Sequence, residues 1–398
     1  LTVKANYNDG ITSKDGLILR SGNINVTSKD DGIRGKDYLI VNDAITTITS
    51  GGDGLKSDNE ENSTVGYILF TGGTTNVTST TDAVSAQTNV TVNEGTLTAT
   101  AGGGSSVSTT STLSRKGIKG TSNIILNGGT ITVSSADDAL HSNSNITING
   151  GTILLASADD GIHSDTTVTV AGGDVTVTKS YEGVEGKKIT FSGGTSRITA
   201  TNDALNSTMG TVSGGAEYDD NSLLTINGGY VVASCTTGDA IDSNGDILLS
   251  SGTLIAHGPN SQIEEAADFN GSFNITGGFL IAAGTKSNMN KAMGSTGTTQ
   301  VSIYMTASSS VSANSIFRIQ DTSGNDIVTF APLRSAGSFM VSSPTLTKGG
   351  SYSIYTGGSV SNGTVTDGLY SGGTYSGGTL KKSITLSGSA YVNSGISF

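Results

Sequence analysis

Apolar residues in this chain come in short alternating runs, and the runs recur at a fixed distance. Residues 130–151 read TITVSSADDALHSNSNITINGG and residues 152–173 read TILLASADDGIHSDTTVTVAGG, two copies of 22 residues in the same phase. Each copy holds three β-favouring runs separated by polar corners, and a repeat of this size is one supersecondary unit stacked on its neighbour. Within the runs every second residue is apolar: Ile146 and Ile148, Val168 and Val170, Ile189 and Phe191, Ile247 and Leu249. That period-2 pattern predicts strands with one buried face. Asn-Gly-Gly at 127–129, 149–151 and 227–229 supplies corners able to take positive φ.

An acidic corner, Asp-(Gly/Ala)-(Ile/Leu/Val), indexes the repeat. It starts at Asp9, Asp31, Asp53, Asp82, Asp138, Asp160, Glu182, Asp203 and Asp239, with Lys116 in the matching place between Asp82 and Asp138 and a weak last copy at Glu265. The steps are 22, 22, 29, 34, 22, 22, 22, 21, 36 and 26, so the longer ones hold insertions that leave the register intact. Those insertions fall at residues 57–65, 102–112 and 209–221 and predict projecting loops. The expected fold is all-β, a right-handed parallel β-helix with three strands per turn of about 22 residues, about eleven turns and a rod of roughly 50 to 55 Å. After residue 285 the corner disappears, and residues 299–398 alternate in a new pattern. The division is therefore a solenoid over residues 1–290 and a C-terminal β-rich cap over 291–398, with a separate β-sandwich as the alternative for the latter.

Composition narrows the function. The 398 residues include 57 Gly, 1 Cys and no Trp, and the net charge is −12. General nucleic-acid binding is excluded on charge. Cys235 alone makes no disulfide framework and no cysteine metal site. No apolar run approaches the ~20 residues of a membrane span. A secreted or surface location and a monomeric state are expected, and any signal peptide lies out of view.

Stacked corners would bring Asp138, Asp160, Glu182 and Asp203 into one column, which needs protonation, basic partners or a cation. Carboxylates with corner carbonyls suit Ca²⁺. The plainer alternative is an Asx-type turn facing water at each Asp. Three residues past each corner lies an outward position, occupied in turn by Thr12, Arg34, Lys56, Ser85, Lys119, His141, His163, Glu185, Asn206 and Asp242. Arg34, Lys56, Lys119, His141 and His163 form a strip suited to an acidic sugar chain, or a solvated face whose charges cross-pair between turns. His141 and His163, one above the other, are either a surface ladder or a soft-metal pair.

The DDGIHS and NGGT corners of this three-run repeat resemble those of the pectate-lyase-like parallel β-helices. More closely, the chain is similar to a family of secreted clostridial carbohydrate-binding β-helix proteins, over about residues 1–290. That resemblance implies calcium at stacked acidic corners and binding of cellulose and polygalacturonate. The matching calcium positions would be Asp138, Asp160, Glu182, Asp203 and Asp239, with Glu185 and Asp242 as helpers, and Lys116 departs from the pattern by breaking the acidic column. Three readings stay open: a calcium-stabilised polysaccharide binder without catalytic residues, a calcium-dependent pectate lyase with Lys119, Lys116, Arg115 or Lys187 as base, and a purely structural surface protein.

Overall fold

The computed structural model describes residues 1–107, 112–210, 218–260, 263–287, 291–294 and 296–398. The chain forms two compact units, Leu1–Ala200 with Thr208–Val212, and Thr201–Ser207 with Ser213–Phe398.

In the first unit each strand pairs in parallel with the equivalent strand of the next repeat. One ladder stacks Asn145–Ile148 on Asn123–Leu126, placing Ile146 on Ile124 and Ile148 on Leu126. A second stacks Thr152–Ser157 on Thr130–Ser135, placing Ile153 on Ile131 and Leu155 on Val133. These columns are buried, and each such side chain contributes roughly 1.5–3 kcal/mol by leaving water. The third ladder carries the acidic corner and is made of three-residue strands, Leu140–Ser142 on Ile118–Gly120 among them. Polar columns line the walls: Asn145 donates to Asn123 and Asn123 to Asn89 (3.0 and 2.8 Å), while Asn149 donates to Asn127 and Asn127 to Asn93 (both 2.8 Å). The ring of Tyr38 stacks on Tyr67 with centroids 5.7 Å apart.

The expected right-handed parallel β-helix solenoid, with three discrete strands per turn, is corrected to a closed parallel barrel core with additional sheets. The physical reason lies at the glycine corners. Tyr67–Ser79, Asn89–Ala101 and Val184–Thr199 are single strands of 13, 13 and 16 residues that run through a corner. Each bends at one glycine of positive φ: Gly73 (79°), Gly95 (100°) and Gly194 (71°). A residue without Cβ turns there without a steric clash, so hydrogen bonding continues round the edge and neighbouring ladders merge. Asn89–Ala101 accordingly pairs with both Asn123–Leu126 and Thr130–Ser135.

In the second unit, Leu223–Ser234 and Asp246–His257 continue parallel pairing, again with corner glycines of positive φ at Gly229 and Gly252. Phe279–Gly284 then pairs antiparallel with Ala336–Ser342, which pairs antiparallel with Ser302–Val311. A six-stranded sheet runs in the order Thr364–Thr366, Leu369–Ser371, Asp326–Phe330, Phe317–Asp321, Ser351–Thr356, Thr379–Thr385. Its core centres on Phe317, Phe339 and Phe398, with Phe317 stacked on Phe339 at 4.1 Å. The alternation over residues 299–398 thus becomes strands packed on an aromatic core. Of the expected loops, parts of 102–112 and 209–221 lie outside the described residues.

Candidate functional site

Most of the corner acids are buried, and their two carboxylate oxygens take different partners. Asp31, Asp82, Asp138 and Asp160 are 6, 3, 2 and 7% exposed, so they do not face water. One oxygen accepts the backbone N–H of the next corner. Asp31 Oδ1 takes Asp53 N (2.9 Å), Asp53 Oδ1 takes Asp82 N (3.1 Å), and Asp82 Oδ1 takes Lys116 N (2.8 Å). Asp138 Oδ1 takes Asp160 N (3.2 Å). In the second unit Asp203 Oδ1 takes Asp239 N (2.6 Å) and Asp239 Oδ1 takes Glu265 N. The first task of these carboxylates is to satisfy a buried donor that no neighbouring strand reaches. Sequence spacing carries no sign of this bond.

In the first unit the second oxygen meets a cation. Lys56 Nζ sits 3.0 Å from Asp31 Oδ2 and 3.0 Å from Asp53 Oδ2, bridging two corners. Lys119 Nζ is 3.8 Å from Asp82 Oδ2. Lys116 Nζ reaches Asp137 (2.8 Å) and Asp138 (2.7 Å). His141 Nδ1 lies 2.7 Å from Asp138 Oδ2, and His163 Nδ1 2.8 Å from Asp160 Oδ2. The outward strip is therefore a column in register, Arg34 beside Lys56, Lys119 beside His141, His141 beside His163, and His163 beside Glu185. Arg34 Nε donates to Asp58 Oδ2 at 2.9 Å. The strip's cations mostly close inward on the acids.

Electrostatics divides the column. At Asp138 burial opposes ionisation, but the hydrogen bonds of His141 and Lys116 outweigh it and hold the carboxyl well below its ordinary value. At Asp160 burial prevails over His163, with Asp138 and Glu182 adding repulsion, and the carboxyl rises to about 7. Burial, then the hydrogen bond and charge of Glu182, push Glu185 to about 10. His163 is disfavoured as a cation by burial, yet its bond to Asp160 and the Asp138 charge raise it to about 9. Lys116 and Lys56 are likewise raised despite burial, by the acids they bridge. A lysine held as a cation between two carboxylates is no proton acceptor, so the lyase reading loses Lys116 as a base.

In the second unit Asn206 and Asp242 stand in register at the outward position. Asp239, Asp242 and Asp268 place carboxylate oxygens within 4.8 Å of one another, and Lys291 lies 2.9 Å from Asp268. Burial, then the charges of Asp203, Asp242 and Asp268, raise Asp239 to about 9 against the hydrogen bond it accepts. Cys235 is buried and its thiol donates to Gly238 O at 2.9 Å.

Two cavities open on the outward strip of the first unit. The larger, about 490 Å³, is lined by Lys56, Asp58, Gln87, Leu113, Lys119 and Thr121 among others. Asp58 Oδ1 is buried there with no hydrogen-bond partner among the described residues. The second, about 440 Å³, lies beside His163, Asp165 and Glu185 and is completed by Ser164, Gly186 and Thr208–Gly210. Sequence spacing gives no sign of this Asp58 oxygen.

The model of a family described as "Carbohydrate-binding domain-containing protein" matches residues 1–161. No curated protein and no solved structure matches the chain. The match carries the carbohydrate-binding part of the expected resemblance, over a shorter segment than residues 1–290. It does not carry the likeness to pectate-lyase-like solenoids, which the closed barrel overturns. No helix among the described residues is long and apolar enough to cross a membrane.

Proposed function

We propose that the chain binds a polysaccharide at the 490 Å³ cavity of its first unit. The observation that carries this is Asp58 Oδ1, a buried acceptor without a partner among the described residues, in a cavity whose lining lies within the family-matched segment. Sugar hydroxyls both donate and accept, and the cavity supplies both roles: Asp58 accepts, as does the Thr121 hydroxyl, whose own proton goes to Ala86 O, while Lys119 and Gln87 donate. Leu113 gives the apolar face that a pyranose ring covers.

Asp53, Asp58, Glu60 and Asp82 meet only Lys56 and Lys119 in the lining, so a neutral chain is favoured over a bare uronate. Cellulose oligosaccharides then bind without metal, and polygalacturonate binds through calcium. Calcium is suited to the imidazole-free acidic sets, which in the first unit are Asp9, Asp30 and Asp31, and Asp137, Asp138 and Asp159, and in the second Asp239, Asp242 and Asp268. Such a partner implies an extracellular setting, checked by finding the protein in the culture medium of its source. Calorimetry with cello-oligosaccharides and with polygalacturonate, in calcium and in chelator, tests the reading. Saturable binding of the neutral chain, weakened about tenfold by Asp58→Ala, is expected. Polygalacturonate binding that persists in chelator and ignores Asp58→Ala would overturn it.

A further inference from the structure

Residues 359–376 of the second unit form a β-hairpin bent at its middle. Its inner half pairs Ser359–Ser361 with Thr374–Ser376, and its outer half pairs Thr364–Thr366 with Leu369–Ser371. The two halves belong to different sheets, and the bend lies where Asn362 (φ 57°) faces Gly372 and Gly373 (65° and 78°). The tip is Asp367-Gly368, with φ of 51° and 83°, a type I′ turn. This tip folds back onto the unit. Ala331 N–H donates to Gly368 O (2.8 Å), Leu369 pairs with Phe330, and His257 Nε2 lies 3.0 Å from Asp367 O.

His257 fits this place only when neutral. Asp367 O is an acceptor, so Nε2 carries a proton. Nδ1 faces the N–H of Leu333 at 3.3 Å, a donor, so Nδ1 must offer its lone pair. The ring is 1% exposed and stacks on Phe330 with centroids 5.1 Å apart. The charged and titratable groups around it are Asp367 on the tip, Arg334, which donates to His257 O at 3.1 Å, and the Cys235 thiol, 4.0 Å from the same oxygen. Burial, joined by the Arg334 charge and opposed by the bond to Asp367 O, lowers the imidazole to about 4. A second proton would set donor against donor at Leu333. Freed into water, the same ring takes that proton near pH 6.5. The opened tip therefore binds a proton that the closed tip excludes, and opening grows easier as pH falls from about 6.5 towards 4.

We infer that neutral His257 latches the tip of this hairpin, and that acid releases the outer half as a strap hinged at Asn362 and Gly372–Gly373. Positive φ at the bend is what lets the two halves part there. The inner half keeps its own ties: Tyr375 OH donates to Gly357 O at 2.9 Å, and Arg318 lies 4.8 Å over the Tyr375 ring. Release uncovers the edge of Asp326–Phe330 that Leu369–Ser371 covers, together with the Phe330 ring. The strap is independent of the carbohydrate cavity.

The test is hydrogen exchange of the full chain, read by mass spectrometry between pH 7.5 and pH 5 and corrected for intrinsic rates. Protection of residues 364–371 should fall about tenfold over that range. Protection of Phe279–Gly284 and Ser302–Val311 in the same unit should stay constant. His257→Gln, which cannot take up the proton, should abolish the pH dependence. Protection at the tip that is flat with pH, or that falls in step with the rest of the unit, would overturn the strap. Should His257→Gln fail to fold, NMR of the unmutated chain decides, with the His257 ring identified by its contact with Phe330. Ring signals constant from pH 8 to pH 5.5 support the latch, and a titration near 6.5 with the tip still protected refutes it.

Discussion

Asp138 in the first unit and Asp239 in the second occupy equivalent corners and make the same bond to the next corner's backbone N–H, or in one case to the N–H of Glu265. Around Asp138 stand Lys116 and His141. Around Asp239 stand Asp203, Asp242 and Asp268. Burial is common to both, yet one carboxyl is driven down and the other up to about 9. The backbone bond needs only an acceptor, and a protonated carboxyl still has one. The charged groups gathered round each carboxyl decide its charge.

The largest effect should come from Asp138→Ala. It strands Lys116 and His141 without their shared partner and removes the acceptor of Asp160 N–H. A loss of about 3–5 kcal/mol in urea unfolding is expected, as for a broken buried ion pair. A loss below 1 kcal/mol would dissolve the contrast between the units. Lys116→Met leaves Asp138 with His141 alone and should cost about 2 kcal/mol, the scale of a charged hydrogen bond.

Acidity gives the third probe. Asp239 keeps its proton to about pH 9 when folded, whereas in the unfolded chain it is lost near 4. The folded state therefore binds more protons in that window, and stability falls as pH rises through it. His163 acts in the same direction: its contribution is complete below about pH 6.5 and lost as pH climbs through about 9. Asp138 is opposite, and its contribution disappears only on acidification below about pH 4. Melting temperatures in chelating buffer should drop by several degrees between pH 5 and pH 9. The smallest effect is expected of Asp239→Asn, which keeps an acceptor for Glu265 N–H and removes no charge at neutral pH. It should change stability at pH 7 by less than about 1 kcal/mol and flatten the alkaline decline. A pH profile unaltered by this substitution would place the alkaline sensitivity elsewhere.

Much of the wall was legible because a stacked repeat writes its register into the chain. The 22-residue step put Ile146 over Ile124 and His141 under His163, as the pairings have it. The Asn-Gly-Gly corners were legible as places able to take positive φ, but not as places where one strand runs on into the next. Gly73, Gly95 and Gly194 bend strands without ending them, and local sequence does not distinguish a bend from a break. The corner acids were visible as a column, but which oxygen meets which donor depends on neighbours a turn away. Lys116 shows the same limit. Its exceptional position was plain, and the structure directs its ammonium to Asp137 and Asp138, while its backbone N–H goes to Asp82. Residues 302–342 pair antiparallel with one another, a change of direction that alternation alone does not encode.

The corner glycines also leave the stack no clearance along its axis. A methyl group at Gly151 would lie 2.8 Å from the carbonyl oxygen of Gly129, and one at Gly173 the same distance from that of Gly151. Each layer is thus seated directly on the one beneath, as in masonry laid without mortar. One oversized block there would lift every course above it. The repeats accordingly differ in the lengths of the segments between corners, while the corners themselves keep their glycines.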